Sequence, residues 1–134
     1  MTPALRLAWL AGRWRVTRAI RHADGGRARF RGEAVWTPEG AWLACVEAGM
    51  LEQGGAAFPA RRETRWRATP AGIAVAFADG RPFHVVDGAT ARHDCAPDLY
   101  LLDYDFGAAG FWSVRWRVTG PRKDYRAITR HVRL

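Results

Sequence analysis

Apolar and polar residues alternate along most of this chain with the two-residue period of strands that bury one face. Residues 12–21 set Trp14, Val16, Arg18 and Ile20 on one side and Arg13, Arg15, Thr17 and Arg21 on the other. Residues 27–37 set Phe30, Gly32, Ala34 and Trp36 against Arg27, Arg29, Arg31 and Glu33. Residues 58–68 repeat the pattern, with Phe58, Ala60, Arg62, Thr64 and Trp66 opposed to Arg61, Glu63, Arg65 and Arg67. Residues 111–119 place Trp112, Val114, Trp116 and Val118 opposite Ser113, Arg115, Arg117 and Thr119. The phase of 41–51 is open, since one choice turns Cys45 and Glu47 inward and the other turns Trp42, Val46 and Met50 inward. Shorter strands are expected over 73–77 and 82–86, and a last one over 124–133. Residues 1–10 predict a short helical turn with Leu5, Trp9 and Leu10 on its apolar side.

Turn chemistry punctuates these strands. Asp24-Gly25-Gly26, Pro38-Glu39-Gly40, Gln53-Gly54-Gly55, Asp79-Gly80, Asp87-Gly88 and Gly120-Pro121 supply the positive φ or fixed φ that tight hairpins need. About nine or ten strands joined this way predict an all-β, up-and-down antiparallel sheet. An open sheet of that size would leave two edges unpaired, and closing it into a barrel removes them. A two-sheet sandwich is the alternative. A barrel of this strand number has an interior that can hold one small ligand. The seven tryptophans, mostly on the strands, suggest that the interior is large and enclosed.

The chain of 134 residues reads as one domain, residues 1–134. Its formal charge is +8, carried almost wholly by arginine, with Lys123 the only lysine. Such a balance can attract polyanions. Alternation nevertheless sends most arginines to the side opposite the tryptophans, which argues against stacking on nucleic acid and predicts arginines scattered around the outer wall. Cys45 and Cys95 have no metal spacing and make no disulfide framework. The apolar run 8–11 is too short for a signal peptide, and no stretch approaches a membrane span. The expectation is a cytoplasmic protein, monomer or homodimer, without a membrane partner.

The stretch 82–106 differs from the rest. It holds two of the four histidines and two of the three tyrosines, and polar groups recur along it at His84, His93, Cys95, Asp98, Tyr100 and Tyr104. Arg18 and Arg62 sit on otherwise apolar strand faces, and a buried guanidinium needs a carboxylate, a phenol or a bound anion. Glu47 and Asp98 are the expected partners. Trp66 and Trp116 share faces with this cluster, while Lys123 and Tyr125 flank a basic turn at one barrel mouth.

Two features carry a resemblance. Leu10-Ala11-Gly12-Arg13-Trp14 resembles the Gly-x-Trp opening of calycin barrels, the lipocalins and fatty-acid-binding proteins among them. That likeness implies a tryptophan plugging one end, crossed by Arg130 or Arg133. The whole chain also resembles a family of small bacterial proteins, a domain of unknown function with a lipocalin-like barrel. Residues 10–14, 62–66, 80–84, 93–100 and 116–125 carry the likeness. It implies the fold and no established activity.

The readings of function follow from the cluster. The first is a small-molecule-binding barrel whose polar interior takes an anionic, partly aromatic or lipidic ligand. The alternative is a small lyase or isomerase in which Asp98 orients His93 as general base, Tyr100 or Tyr104 is the acid partner and Arg62 holds an anion. His84, His93 and Cys95 would be the donors for haem or a metal, although zinc normally wants three or four convergent ligands. No Ser elbow, phosphate loop or His-Glu zinc motif is present, and no cofactor is named.

Overall fold

The computed structural model describes residues 1–134. Thr2 opens the first element, α1 (Pro3–Leu10), its hydroxyl accepting the Leu5 N–H at 3.2 Å. Ten strands follow: β1 (Gly12–His22), β2 (Arg27–Glu39), β3 (Trp42–Gln53), β4 (Ala56–Thr69), β5 (Gly72–Phe77), β6 (Pro82–Val86), β7 (Thr90–Cys95), β8 (Asp98–Ala108), β9 (Phe111–Thr119) and β10 (Asp124–Arg133). All pair antiparallel in the order β6-β5-β4-β3-β2-β1-β10-β9-β8-β7. The first and last strands are thus neighbours, with Trp14 opposite Arg133 and His22 opposite Tyr125. Only β6 and β7 lack a ladder between them, so the up-and-down barrel is nearly closed. No helix is long and apolar enough to cross a membrane.

The expected alternation holds, and the open phase of β3 resolves with Cys45 and Glu47 buried and Trp42 outside under Arg67. Two inward guanidiniums decide that phase, because they require a carboxylate among them. β2 runs two turn residues further than its sequence predicts, since Pro38 and Glu39 still pair with Leu43 and Trp42. Gly32 and Gly49 face each other across β2 and β3. A Cβ on either would lie 2.1 Å from a backbone oxygen of the other strand, so this close approach admits only glycine.

One end of the barrel is plugged as the calycin likeness implies. Trp14 and Leu10 are fully buried, and the Trp14 indole N–H donates to the Leu10 carbonyl at 2.8 Å. The Arg133 guanidinium lies 4.0 Å from the Trp14 ring centre and donates to the Ala11 carbonyl at 3.0 Å and to that of Trp9. The C-terminal strand therefore caps the end of α1 and covers the plug together.

The interior is not large. Trp36 packs edge-on to Trp66 and Trp112, and Trp112 to Trp14, with ring centres 5.6–6.3 Å apart. These indoles fill the closed half. The enclosed space left in the wall's centre is a cavity of about 30 Å³, room for a water molecule. The expectation of a spacious enclosed interior fails because the tryptophans pack against one another rather than around a void.

Candidate functional site

A charged layer crosses the barrel halfway along. Arg18 on β1, Glu47 on β3 and Arg62 on β4 are brought together because β1, β2, β3 and β4 are sequential neighbours and each residue points inward. Arg18 grips Glu47 through two bonds of 2.8 Å and donates from Nε to Thr129 Oγ1 at 2.7 Å. Arg62 reaches the same carboxylate at only 3.4 Å, with its guanidinium 5.3 Å from the Trp116 ring centre. Burial alone would raise the Glu47 carboxyl, but Arg62 and Arg18 overcome it and hold the group below the usual range. It is an anion between two cations.

The two arginines differ in what surrounds them. The Arg18 side chain is 13% exposed and that of Arg62 is 42% exposed, although Arg62 lies inside the wall. Solvent reaches Arg62 from the open end of the barrel. The inward residues on that side are half-buried rather than sealed: Phe77, His93, Tyr100, Trp116 and Tyr125. They form an aromatic vestibule with Arg62 at its floor.

The closed side of the charged layer is buried and neutral. Trp66 is buried and donates to Thr64 Oγ1 at 2.9 Å. His84 and Tyr104 are both buried and share a 2.8 Å hydrogen bond. Burial drives the His84 imidazole down to about 3 and the Tyr104 phenol well up, so at neutral pH one holds no extra proton and the other gives none away. Cys45 is buried and pushed up to about 12, so it remains an inert thiol. His131 stacks flat on Trp112 with centres 3.6 Å apart and an angle of 4°. His131 and Thr129 belong to this layer and were not singled out in the sequence. The inward parity of 125, 127, 129 and 131 on β10 was the available signal.

Other expected members take different places. The apparent polar series from His93 to Tyr104 is a hairpin, not one strand, and it pairs His93 with Tyr100 and Cys95 with Asp98. His93 rests against the rings of Phe83 and Tyr100, at 5.1 and 5.6 Å. Asp98 partners neither arginine and does not orient His93. It pairs with Lys123 at 3.2 Å, and the same ammonium donates to Tyr100 Oη at 2.8 Å. Lys123 is thereby held at the rim, its pKa raised by the hydrogen bonds it donates to Tyr100 and Asp98. Tyr125 stands half-buried beside His22, with its phenol raised by burial. Cys95 is exposed at the strand end and does not enter the interior. No three His, Cys, Asp or Glu side chains converge to hold a metal ion. Among the candidate donors, His84 is committed to Tyr104 and Cys95 points elsewhere.

Five buried ring nitrogens have no hydrogen-bond partner, on Trp36, Trp112, Trp116, His84 and His131. Four of these residues border the 30 Å³ cavity beside Arg18, Glu47 and Arg62. Each unsatisfied group costs about 1–3 kcal/mol.

The outer wall departs from expectation too. The arginines are not scattered, because β10 lies beside β1 and brings two basic strand faces together. Arg27, Arg21, Arg126 and Arg117 are consecutive cross-strand partners over β2, β1, β10 and β9.

Comparison with solved structures finds the same architecture. An S-type phycobiliprotein lyase from Guillardia theta superposes with a TM-score of 0.71 at 9% identity, covering 100% of this chain and 93% of its own. A de novo designed fluorescence-activating β-barrel superposes with a TM-score of 0.56 at 14% identity, covering 100% of both chains. No curated protein sequence matches the chain. The model of a family of unknown function, DUF6314, matches residues 10–133, and the protein belongs to that family.

Proposed function

We propose that the open half of the barrel binds a small anionic molecule with a planar apolar body. One observation carries this reading. Arg62 sits at the floor of an aromatic vestibule, reached by solvent, while its only carboxylate is shared with Arg18 and held more tightly by Arg18. Two cations against one anion leave a positive charge facing the vestibule, and a guanidinium is suited to grip a carboxylate or phosphate through two bonds. Phe83, Trp116, Tyr100 and His93 offer apolar faces above it, and Lys123 stands at the rim. The small size of the enclosed cavity supports a site in the vestibule rather than deep among the tryptophans.

The geometry favours binding over acid–base catalysis. His84 and Tyr104 are held in their neutral forms, and His93 lacks the carboxylate that would orient it as a base. The two similar barrels share only their fold with this chain, so the reading rests on its own residues.

The test is a tryptophan-fluorescence titration with 2-naphthoate, its neutral alcohol analogue 2-naphthylmethanol, and dodecanoate as a lipidic anion. The expected result is at least tenfold preference for an anion over the neutral analogue, erased in Arg62→Met with little change in melting temperature. Equal binding of anion and alcohol, or undiminished preference in Arg62→Met, would overturn the reading. Preference for dodecanoate over naphthoate would replace the planar body with an aliphatic one.

A further inference from the structure

The outer face of β2, β1, β10 and β9 carries a continuous arginine surface that the vestibule does not use. Arg21 is directly opposite Arg27 on one side and Arg126 on the other, and Arg126 is opposite Arg117. Arg29 and Arg115 lie one step along the same faces, on β2 and β9. Like charges placed opposite each other across a sheet destabilise it. Here three such pairs follow in succession. Of these six arginines only Arg117 forms an ion pair, with Asp124 at 2.6 Å, while Arg29 and Arg115 stand opposite Glu52 and Asp103 in register without a salt bridge. Elsewhere on the outer wall several arginines pair locally: Arg13 with Glu33, Arg61 with Glu63, Arg65 with Glu39 and Arg92 with Asp94.

The shape of this face matters as much as its charge. An open trough of about 1340 Å³ runs across the strands, and all six arginines line it against two carboxylates, Glu52 and Asp103. Its lining comes from β4, β3, β2, β1, β10, β9, β8 and β7 in their order around the wall. The trough therefore curves with the barrel over seven inter-strand steps of about 4.8 Å, roughly 34 Å in all.

From charge and curvature together we infer that this trough binds the phosphate backbone of a single-stranded nucleic acid, without reading its bases. Unpaired guanidiniums at strand spacing suit a linear array of phosphates, each of which accepts two bonds from one arginine. A duplex has a persistence length of about 150 base pairs and does not bend round a barrel at low cost, whereas a single strand follows the curve. A surface that wraps the outer wall of a barrel does not lie along a planar bilayer over its whole length. Base recognition is excluded by composition, because Trp116 is the only aromatic residue lining the trough and its ring points inward to Arg62. Attraction of this kind is electrostatic and ends with rising salt.

The test is fluorescence anisotropy of labelled 20-nucleotide U-tract RNA and T-tract DNA between 50 and 200 mM salt. With about five phosphates neutralised, the slope of log K against log salt is expected near −3.5. The triple variant Arg21→Gln, Arg27→Gln, Arg126→Gln changes exposed side chains only. It should lose at least tenfold in affinity, with the slope falling to about −1.4. Its melting temperature at low salt should hold or rise, because repulsion is relieved. A control triple, Arg65→Gln, Arg67→Gln, Arg81→Gln, removes the same charge away from the trough and should bind as the parent does. Equal loss in both triples would reduce the effect to net charge and overturn the inference. So would a 20-base-pair duplex binding as tightly as the strands, tighter capture by a polyglutamate peptide or by phosphatidylserine vesicles, or no binding at 50 mM salt.

Discussion

Replacing Glu47 by Gln removes the only anion in the barrel's charged layer while keeping its volume. Glu47 is 6% exposed, and Arg18, its main partner, keeps 13% of its side chain in contact with solvent. After the substitution Arg18 retains Thr129 and an amide oxygen, but its charge is left in a desolvated place without a counterion. Breaking a buried pair in this way costs about 3–5 kcal/mol. The surviving hydrogen bonds put the expectation at the lower end, about 3 kcal/mol. For a chain of this length that is a fall of roughly 9–15 °C in melting temperature. Arg62 contributes less, because its contact is long and its side chain is wet, and Arg62→Met should cost about 1 kcal/mol or less. Joint replacement of Arg18 by Met and Glu47 by Leu should recover most of the loss, since a buried pair exchanged for apolar groups is close to neutral. The assay is urea unfolding at pH 7 of Glu47→Gln and Arg62→Met beside the parent, Arg18→Met, Glu47→Leu and their double variant, with the coupling between Arg18 and Glu47 taken from the last four. A loss below about 1 kcal/mol in Glu47→Gln, or a double variant weaker than the single, would show that the layer is hydrated and that the argument from burial is wrong.

Three further outcomes follow from the same geometry. Burial holds His84 and His131 at about 3, against about 6.5 in an unfolded chain, so the unfolded state binds protons that the folded state refuses. Stability should therefore fall as pH drops from 6.5 towards 3, by about 2.7 kcal/mol per unit for the two groups. His131→Phe keeps the stack on Trp112 and should halve that slope in melts recorded between pH 7 and 4.5; an unchanged slope would count against it. Arg133→Ala removes the cover of Trp14 and two donors to the end of α1, and should cost about 1–2 kcal/mol in chemical denaturation, only partly restored by lysine. Gly32→Ala forces a Cβ to within 2.1 Å of the Ala48 carbonyl oxygen, and should destabilise instead of giving the gain of about 0.5–1 kcal/mol that alanine ordinarily brings over glycine inside a strand. A neutral Gly32→Ala would mean that β2 and β3 can part there freely.

Much of this protein could be read along the chain, because a strand's alternation is a local property. Trp14, Val16 and Arg18 declare one face of β1, and Asp24-Gly25-Gly26 declares the turn after it, without knowledge of any distant residue. The number of strands, their order through successive hairpins, and the inward placement of Arg62 and Trp66 all follow from such signals, while the plug made by Trp14 is what the resemblance to calycin barrels implied. Contacts of long sequence separation were decided elsewhere. The pairing of β1 with β10 brings Arg21 beside Arg126 and converts two ordinary solvent faces into one basic surface. Which carboxylate serves which arginine was also open. Arg18 and Arg62 both claim Glu47, and Asp98 is drawn to Lys123 in the adjoining β9–β10 turn, because reach depends on the register and shear of the sheet. Cavity size lies furthest from the sequence, since the same seven tryptophans can line a void or fill it. Only their packing angles in the closed barrel set that volume at about 30 Å³ and leave the accessible chemistry at the open mouth.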